Sequence, residues 1–290
     1  MTTKQLTLRG QTFEWGKRTY LMGVLNVTPD SFSDGGQFYA LESALAQAEQ
    51  LVAAGADILD IGGQSTRPGA AEVSLEAELN RVIPVVEQLR LRQDASGRVP
   101  ISVDTTRATV AKAAIAAGAD LINDISGATF DPEMLSVAAE FAVPIILMHI
   151  RGTPQTMQQL TDYQDLIGEI YEFFEARIAA AMQAGIDRSQ IILDPGIGFA
   201  KNYPQNLELL RHLPKFRSLD CPLLVGVSRK SFIGHLLNQP DPQQRSWGTA
   251  AACTSAIAGS ADILRVHDVK EMREVCRVAD AIFRADLTVV

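Results

Sequence analysis

Cysteine, tryptophan and positive charge are all scarce in this chain of 290 residues, and each shortage argues against a class of function. Cys221, Cys253 and Cys276 are odd in number and widely spaced, which argues against a disulfide framework and for a reducing compartment, the cytoplasm. The histidines His149, His212, His235 and His267 show no metal-ligand spacing with one another or with cysteine, so no zinc site is expected. With 26 Lys and Arg against 34 Asp and Glu, the net charge of −8 leaves no basic face to displace counterions from a polyanion. Nucleic-acid and membrane partners are therefore not expected, whereas a small anionic ligand is allowed. No apolar run is long enough to span a bilayer, the N-terminal residues lack a signal-like apolar stretch, and no low-complexity linker divides the chain.

What the chain has instead is 47% hydrophobic residues, gathered into eight short runs that each stop on polar or charged residues. They are Tyr20 to Leu25, Ile58 to Ile61, Val99 to Val103, Leu121 to Ile122, Val143 to Met148, Ile191 to Leu193, Leu223 to Val227 and Ile263 to Val266. Such runs read as strands buried on both faces, and the segments between them have helical length and periodicity. Eight β-then-α units predict an α/β fold, a single (β/α)8 TIM barrel over residues 20–290. Residues 1–19, around Gly10-Gln11, read as a β-hairpin closing the barrel floor. An Ala-Gly-Ala-Asp echo at Ala54 and Ala117, with a looser copy near Ala261, marks successive units, and Gly55 and Gly118 are placed to end helices in a left-handed conformation.

In a barrel of this kind the strand C-termini share one rim where chemistry is done. Three loops on that rim are too unusual to be plain connections. The first, from Asn26 through Phe32 to Gly36, has the composition of a mobile lid, and the second presents Thr66, Arg67 and Pro68. The third, Ser228-Arg-Lys-Ser, puts cations at a helix start, where they oppose the dipole and require an anionic ligand. Asp104, Asn123 and Asp194 close three strands, and with Lys230 they match a flat heterocycle with an amino-pyrimidinone edge. The plain alternative is that Asp104 and Asp194 are helix N-caps. Opposite them, Arg265 and His267 share one side of the last strand beside Asn26, a set suited to a diphosphate. The alternatives are an Arg265–Asp268 pair and a His267 bonded to backbone. As a ligand group, Arg265 is expected to matter little to stability.

The motifs Asn26-Val-Thr-Pro-Asp-Ser-Phe-Ser-Asp-Gly-Gly, Asp60-Ile-Gly-Gly-Gln-Ser-Thr-Arg-Pro-Gly, Ser102-Val-Asp-Thr, Ile122-Asn-Asp-Ile, Leu193-Asp-Pro-Gly-Ile-Gly-Phe, Ser228-Arg-Lys-Ser and Arg265-Val-His-Asp-Val together resemble the dihydropteroate synthase family, in family order from Leu21 to Val269. Gln64, where many members have Glu, and Ala200, where Gly is common, depart from the pattern. The resemblance implies a folate-route transferase joining 7,8-dihydropterin-6-ylmethyl diphosphate to 4-aminobenzoate with Mg²⁺, working as a homodimer and inhibited by sulfonamides. It implies that Asp104, Asn123, Asp194 and Lys230 hold the pterin, and that Asn26, Arg265 and His267 hold the diphosphate, Asn26 also meeting Mg²⁺. Thr66, Arg67, Pro68, Phe199 and Ser231 then surround the aminobenzoate under Phe32, with Asp104, Asp194, Lys230, Arg265 and His267 as the catalytic set. A pterin-binding methyltransferase domain, a Schiff-base aldolase using Lys230 and a silent pterin-binding paralogue remain as alternatives.

Overall fold

A computed structural model describes residues 5–27, 36–67 and 69–284. Strands β1 (Gln5–Leu8) and β2 (Gln11–Glu14) form an antiparallel hairpin. It turns at Arg9-Gly10, one residue earlier than the sequence suggests, with both residues at positive φ, the twist that two-residue hairpin loops favour. The barrel strands follow: β3 (Tyr20–Asn26), β4 (Ile58–Gly62), β5 (Ile101–Asp104), β6 (Leu121–Asp124), β7 (Ile145–Met148), β8 (Ile191–Asp194), β9 (Leu224–Val225) and β10 (Ile263–Val266). All pair in parallel in the order β8-β7-β6-β5-β4-β3-β10-β9, and a single bridge between Leu193 and Leu223 joins the two ends. Helices α1 (Gly36–Ala54), α2 (Leu75–Leu91), α4 (Ala108–Ala117), α5 (Met134–Glu140), α6 (Leu166–Gln183), α7 (Tyr203–Arg211) and α10 (Val269–Phe283) surround the sheet. A short α3 (Ala95–Arg98) precedes β5, and the crossover from β9 to β10 carries two helices, α8 (Ser231–Leu237) and α9 (Ser246–Ala258).

The period-two alternation of a strand sorts its side chains into two cores. Leu21, Leu59, Ile101, Ile122, Leu147 and Leu264 point outward into the layer shared with the helices. Met22, Ile58, Leu121, Ile146, Ile192 and Ile263 point inward and meet Leu6, Leu8 and Phe13 of the hairpin across the floor. Phe13 is fully buried, with its ring centroid 4.7 Å from that of Tyr20. The interior below the rim is thus packed apolar matter, worth about 1.5–3 kcal/mol per large side chain. Ligand chemistry is left to the upper end.

The repeated Ala-Gly-Ala-Asp segment has a physical purpose beyond marking units. Gly55 and Gly118 do take the left-handed conformation that turns helix directly into strand, whereas in the third copy Ser260 takes it. The aspartate that follows then clasps the neighbouring strand. Asp57 accepts the Leu21 amide at 2.8 Å, Asp120 the Ile101 amide at 2.8 Å and Asp262 the Leu223 amide at 3.0 Å. The strand expected over Leu223 to Val227 shrinks to two residues, because the Leu223 amide is taken by Asp262, leaving that residue a single bridge to Leu193, and the chain after Val225 leaves the ladder for the Ser228 loop. Among the described residues no helix is long and apolar enough to cross a membrane.

Candidate active site

Strand register sets the rim. Asn26 pairs with Gly62, Gly62 with Asp104 and Asp104 with Asn123, so these residues stand at one level round the barrel, and Met148 pairs with Asp194 further on. Asp104, Asn123 and Asp194 are all buried. None of the rim aspartates caps a helix. The first amide of α4 is satisfied by Asp131 at 2.8 Å, and Asp194 bonds the Gly196 amide at 2.8 Å within its own loop.

Arg265 does not stand apart from this set. Its Nη2 donates to Asp104 at 2.7 Å and its Nε to Asp60 at 2.6 Å, while the Asn123 amide donates to the same Asp60 oxygen at 3.1 Å. The expected separation into opposite clusters is therefore corrected: the inward-facing guanidinium reaches over to two carboxylates that need a cation. The expectation that it matters little to stability falls with it. The alternative Arg265–Asp268 pair is also absent, since Asp268 bonds Arg229, Nε to Oδ2 at 3.0 Å. One of the two cations of the Ser228 loop thus has its anion already. Burial holds Asp104 above the usual carboxylate range despite Arg265, and Asp60 and Glu78 add like charge. Burial lifts Asp194 to about 6 against the Gly196 amide and the cations Lys230, Arg265 and Lys201.

Lys230 precedes α8, and its ammonium lies 4.3 Å from the Phe199 ring centroid, a cation–π contact. Burial brings it down to about 8 although Asp194 opposes the shift. Ser231 opens α8 and is exposed. The His267 ring nitrogen Nδ1 lies 3.1 Å from Ser228 Oγ. Burial first, then Arg265 and Arg229, lower His267 to about 3, so it offers a neutral imidazole at neutral pH. Beside the rim, Gln64, Thr66, Glu72, Glu78, Asp104 and Ile125 help line a cleft. Arg67 is exposed. Phe32 and Pro68 lie outside the described residues.

The pattern of the pterin binding enzyme family matches residues 22–267, and a dihydropteroate synthase of Synechocystis sp. is 63% identical over 95% of this chain and 94% of its own length. The chain belongs to the pterin-binding enzyme family, among the dihydropteroate synthases. Two solved dihydropteroate synthases have the same fold. That of Yersinia pestis in a sulfonamide complex has a TM-score of 0.89 at 48% identity and covers 97% of this chain and 100% of its own. That of Xanthomonas albilineans with 4-aminobenzoic acid has a TM-score of 0.89 at 43% identity and covers 97% and 98%.

Sequence reasoning missed several residues at this rim. Asp60 sits inside an apolar run and reads there as an interruption of a strand, yet its alternation with Ile58 already marks it as inward-facing. Its second oxygen, Oδ1, is buried without a hydrogen-bond partner. Buried Arg245 donates to the carbonyls of Arg229, Gln239 and Pro240 and so ties down the Ser228 loop. Buried Glu78 accepts from Thr105 and Arg107, each at 2.6 Å, at the back of the second loop. No local signal points to these last two: the partners of Glu78 lie 27 and 29 residues away, and those of Arg245 are backbone carbonyls, which leave no mark in the sequence.

Proposed function

We infer that the chain condenses 7,8-dihydropterin-6-ylmethyl diphosphate with 4-aminobenzoate to give 7,8-dihydropteroate and diphosphate in folate biosynthesis. The observation that carries this is the convergence of Asp104, Asn123, Asp194 and Lys230 on one buried rim in a chain of this family. Carboxylates there accept the N–H groups of a pterin edge, and the lysine donates to its carbonyl. Asn26, Arg265 and His267 take the diphosphate, with His267 giving an N–H and no charge. Thr66, Arg67, Pro68, Phe199 and Ser231 take the aminobenzoate, and Phe32 closes over it.

The residues present suit a Mg²⁺ ion that arrives with the substrate. Among the described residues no group of three or more His, Cys, Asp and Glu is arranged to hold a metal. Asn26 offers one neutral amide oxygen at the rim, which leaves the remaining positions to diphosphate and water, as Mg²⁺ prefers. Bound there, the ion would neutralise charge on the diphosphate oxygens.

Catalysis by this chain is electrostatic. The methylene C–O bond breaks, its electron pair leaves with the diphosphate, and the cation left behind spreads into the dihydropterin ring. Asp104 and Asp194 stabilise that positive charge, and Arg265 stabilises the leaving oxygens. The aminobenzoate amine, a free base at neutral pH, then attacks the methylene carbon and passes its proton to the departing diphosphate. No protein nucleophile is required. The rim loops exclude water, which would otherwise trap the cation.

The same reading makes the protein a cytoplasmic homodimer. Support for dimerisation comes from Leu236 and Leu237 on α8, Trp247 on α9, and Val278 and Ile282 on α10, large apolar side chains left exposed on successive helices. Buried thiols at Cys253 and Cys276 suit a reducing compartment. The deciding experiment is diphosphate release measured with and without 4-aminobenzoate. Release that depends on it supports the reading, and pterin binding without release sinks it.

A further inference from the structure

Lys201 is a lysine only 2% exposed, yet the two groups its ammonium bonds are neutral: the Phe199 carbonyl at 2.9 Å and His149 Nδ1 at 3.0 Å. A buried cation without a bonded carboxylate is costly, and a methionine or leucine would fill the same space without that cost. The charge therefore calls for a reason beyond packing. Asp194, on the rim, accepts the Gly196 amide at 2.8 Å, and a Cβ built on Gly196 would fall 3.4 Å from the Lys201 Nζ, so carboxylate and ammonium flank the same residue. Phe199, whose carbonyl the lysine holds, carries Lys230 on its ring. The turn between them is pressed hard against β7. The His149 amide donates to the Asp194 carbonyl at 2.9 Å, and a Cβ on Gly196 would fall 2.0 Å from the His149 carbonyl oxygen.

We propose that Lys201 is a positioning residue for the pterin site, holding the Phe199 carbonyl and the His149 imidazole in place and keeping the Asp194 carboxylate anionic. Asp194 is faced by Lys230 at the start of α8, by Arg265 on β10 and by Lys201 within its own loop. Lys201 is faced by Asp194, Lys230 and Arg151. His149 is faced by Lys201 and Arg151, with the Phe173 ring edge-on at 4.9 Å. Burial alone would protonate Asp194 and deprotonate Lys201, and each charge opposes that change in the other. His149 is held neutral by burial, Lys201 and Arg151, so its Nδ1 can accept from the ammonium. Removing the cation should raise the Asp194 pKa, which moves the acidic limb of the pH profile upward.

The test is Lys201→Met, an apolar side chain of similar length, read as kcat/KM for the pterin diphosphate across pH. The limb should move up by about one unit, a loss of about tenfold on the acidic side that closes at alkaline pH, where wild-type Lys201 is neutral as well. A uniform loss with the limb unmoved would overturn the proposal and leave Lys201 a packing residue. In an Asp194→Asn background the substitution should cause no limb shift, and a shift of the same size there would overturn it too. The inference rests on Asp194 as a pterin ligand, and that assignment fails separately if Asp194→Asn alone leaves pterin affinity unchanged. Should Lys201→Met not fold, the wild type serves. With only four histidines in the chain, long-range ¹H–¹⁵N spectra resolve His149. It should stay neutral with Nδ1 unprotonated between about pH 5.5 and 8.5, and titration to imidazolium in that window would overturn the proposal.

Discussion

Replacing Arg265 with alanine should damage activity and stability together, and the stability loss should depend on pH. The guanidinium is shared by Asp60 and Asp104, whose side chains are 0% and 5% exposed. Without it, two buried carboxylates face each other with no shared cation and cannot both stay ionised. Breaking such a pair costs about 3 kcal/mol at pH 8. Without Arg265 the folded-state pKa of Asp104 climbs further above the raised value that burial already gives it, so the deficit relative to wild type is full above the variant's pKa and fades as pH falls to the wild-type one, by about 1.4 kcal/mol per unit for each proton taken up. Thermal melts should show a deficit of about 6–10 °C at pH 8 and at most half that near pH 5.5. In parallel, kcat/KM should fall by about 100-fold or more, because alanine offers no charge-assisted hydrogen bond where leaving-group charge develops. Equal deficits at both pH values would refute the charge-bridge argument. Near-normal turnover in the folded variant would remove Arg265 from the mechanism.

Asp104→Asn and Asp194→Asn should each weaken binding of a pterin analogue, because an amide donates where the pterin N–H groups need an acceptor. Unchanged affinity in both, by titration, would end the pterin assignment. Asp57→Ala should cost about 2 kcal/mol in a denaturant melt, through loss of the Leu21 amide bond and the Arg18 ion pair, with kcat/KM unaltered. A matching loss of kcat/KM would mean that floor and rim are coupled. Sulfonamides should compete with 4-aminobenzoate and not with the pterin diphosphate, and Phe32→Leu and Pro68→Ser should raise the drug inhibition constant more than the aminobenzoate KM. Equal losses for drug and substrate would sink that geometry.

Much of the fold was legible because a strand buried on both faces must be apolar throughout, and each run ended where the barrel met water. The rim residues Asp104, Asn123 and Asp194 were legible for the same reason, as the first polar groups after each run. What stayed hidden was pairing. The partners of Arg265 lie 161 and 205 residues away in sequence, so no spacing rule finds them. Lys201 reads as an ordinary loop lysine until its burial is known. Ala200 shows the reverse case: the departure was visible in sequence, and its φ of 50° lies in the region glycine enters most easily, which is the backbone reason for the glycine that the resemblance leads one to expect there.

The two ends of the barrel put the same amino acid to opposite uses. An aspartate just before an apolar run, such as Asp57, Asp120 or Asp262, is committed to a neighbouring peptide amide, while one just after a run, such as Asp104 or Asp194, faces the rim. Direction along the chain therefore works as a sorting rule for mutational phenotypes. In an unbiased mutational survey, aspartates that lead into a strand should emerge as folding alleles, rescued at low temperature. Those that follow a strand should emerge as catalytic alleles that no change of temperature restores.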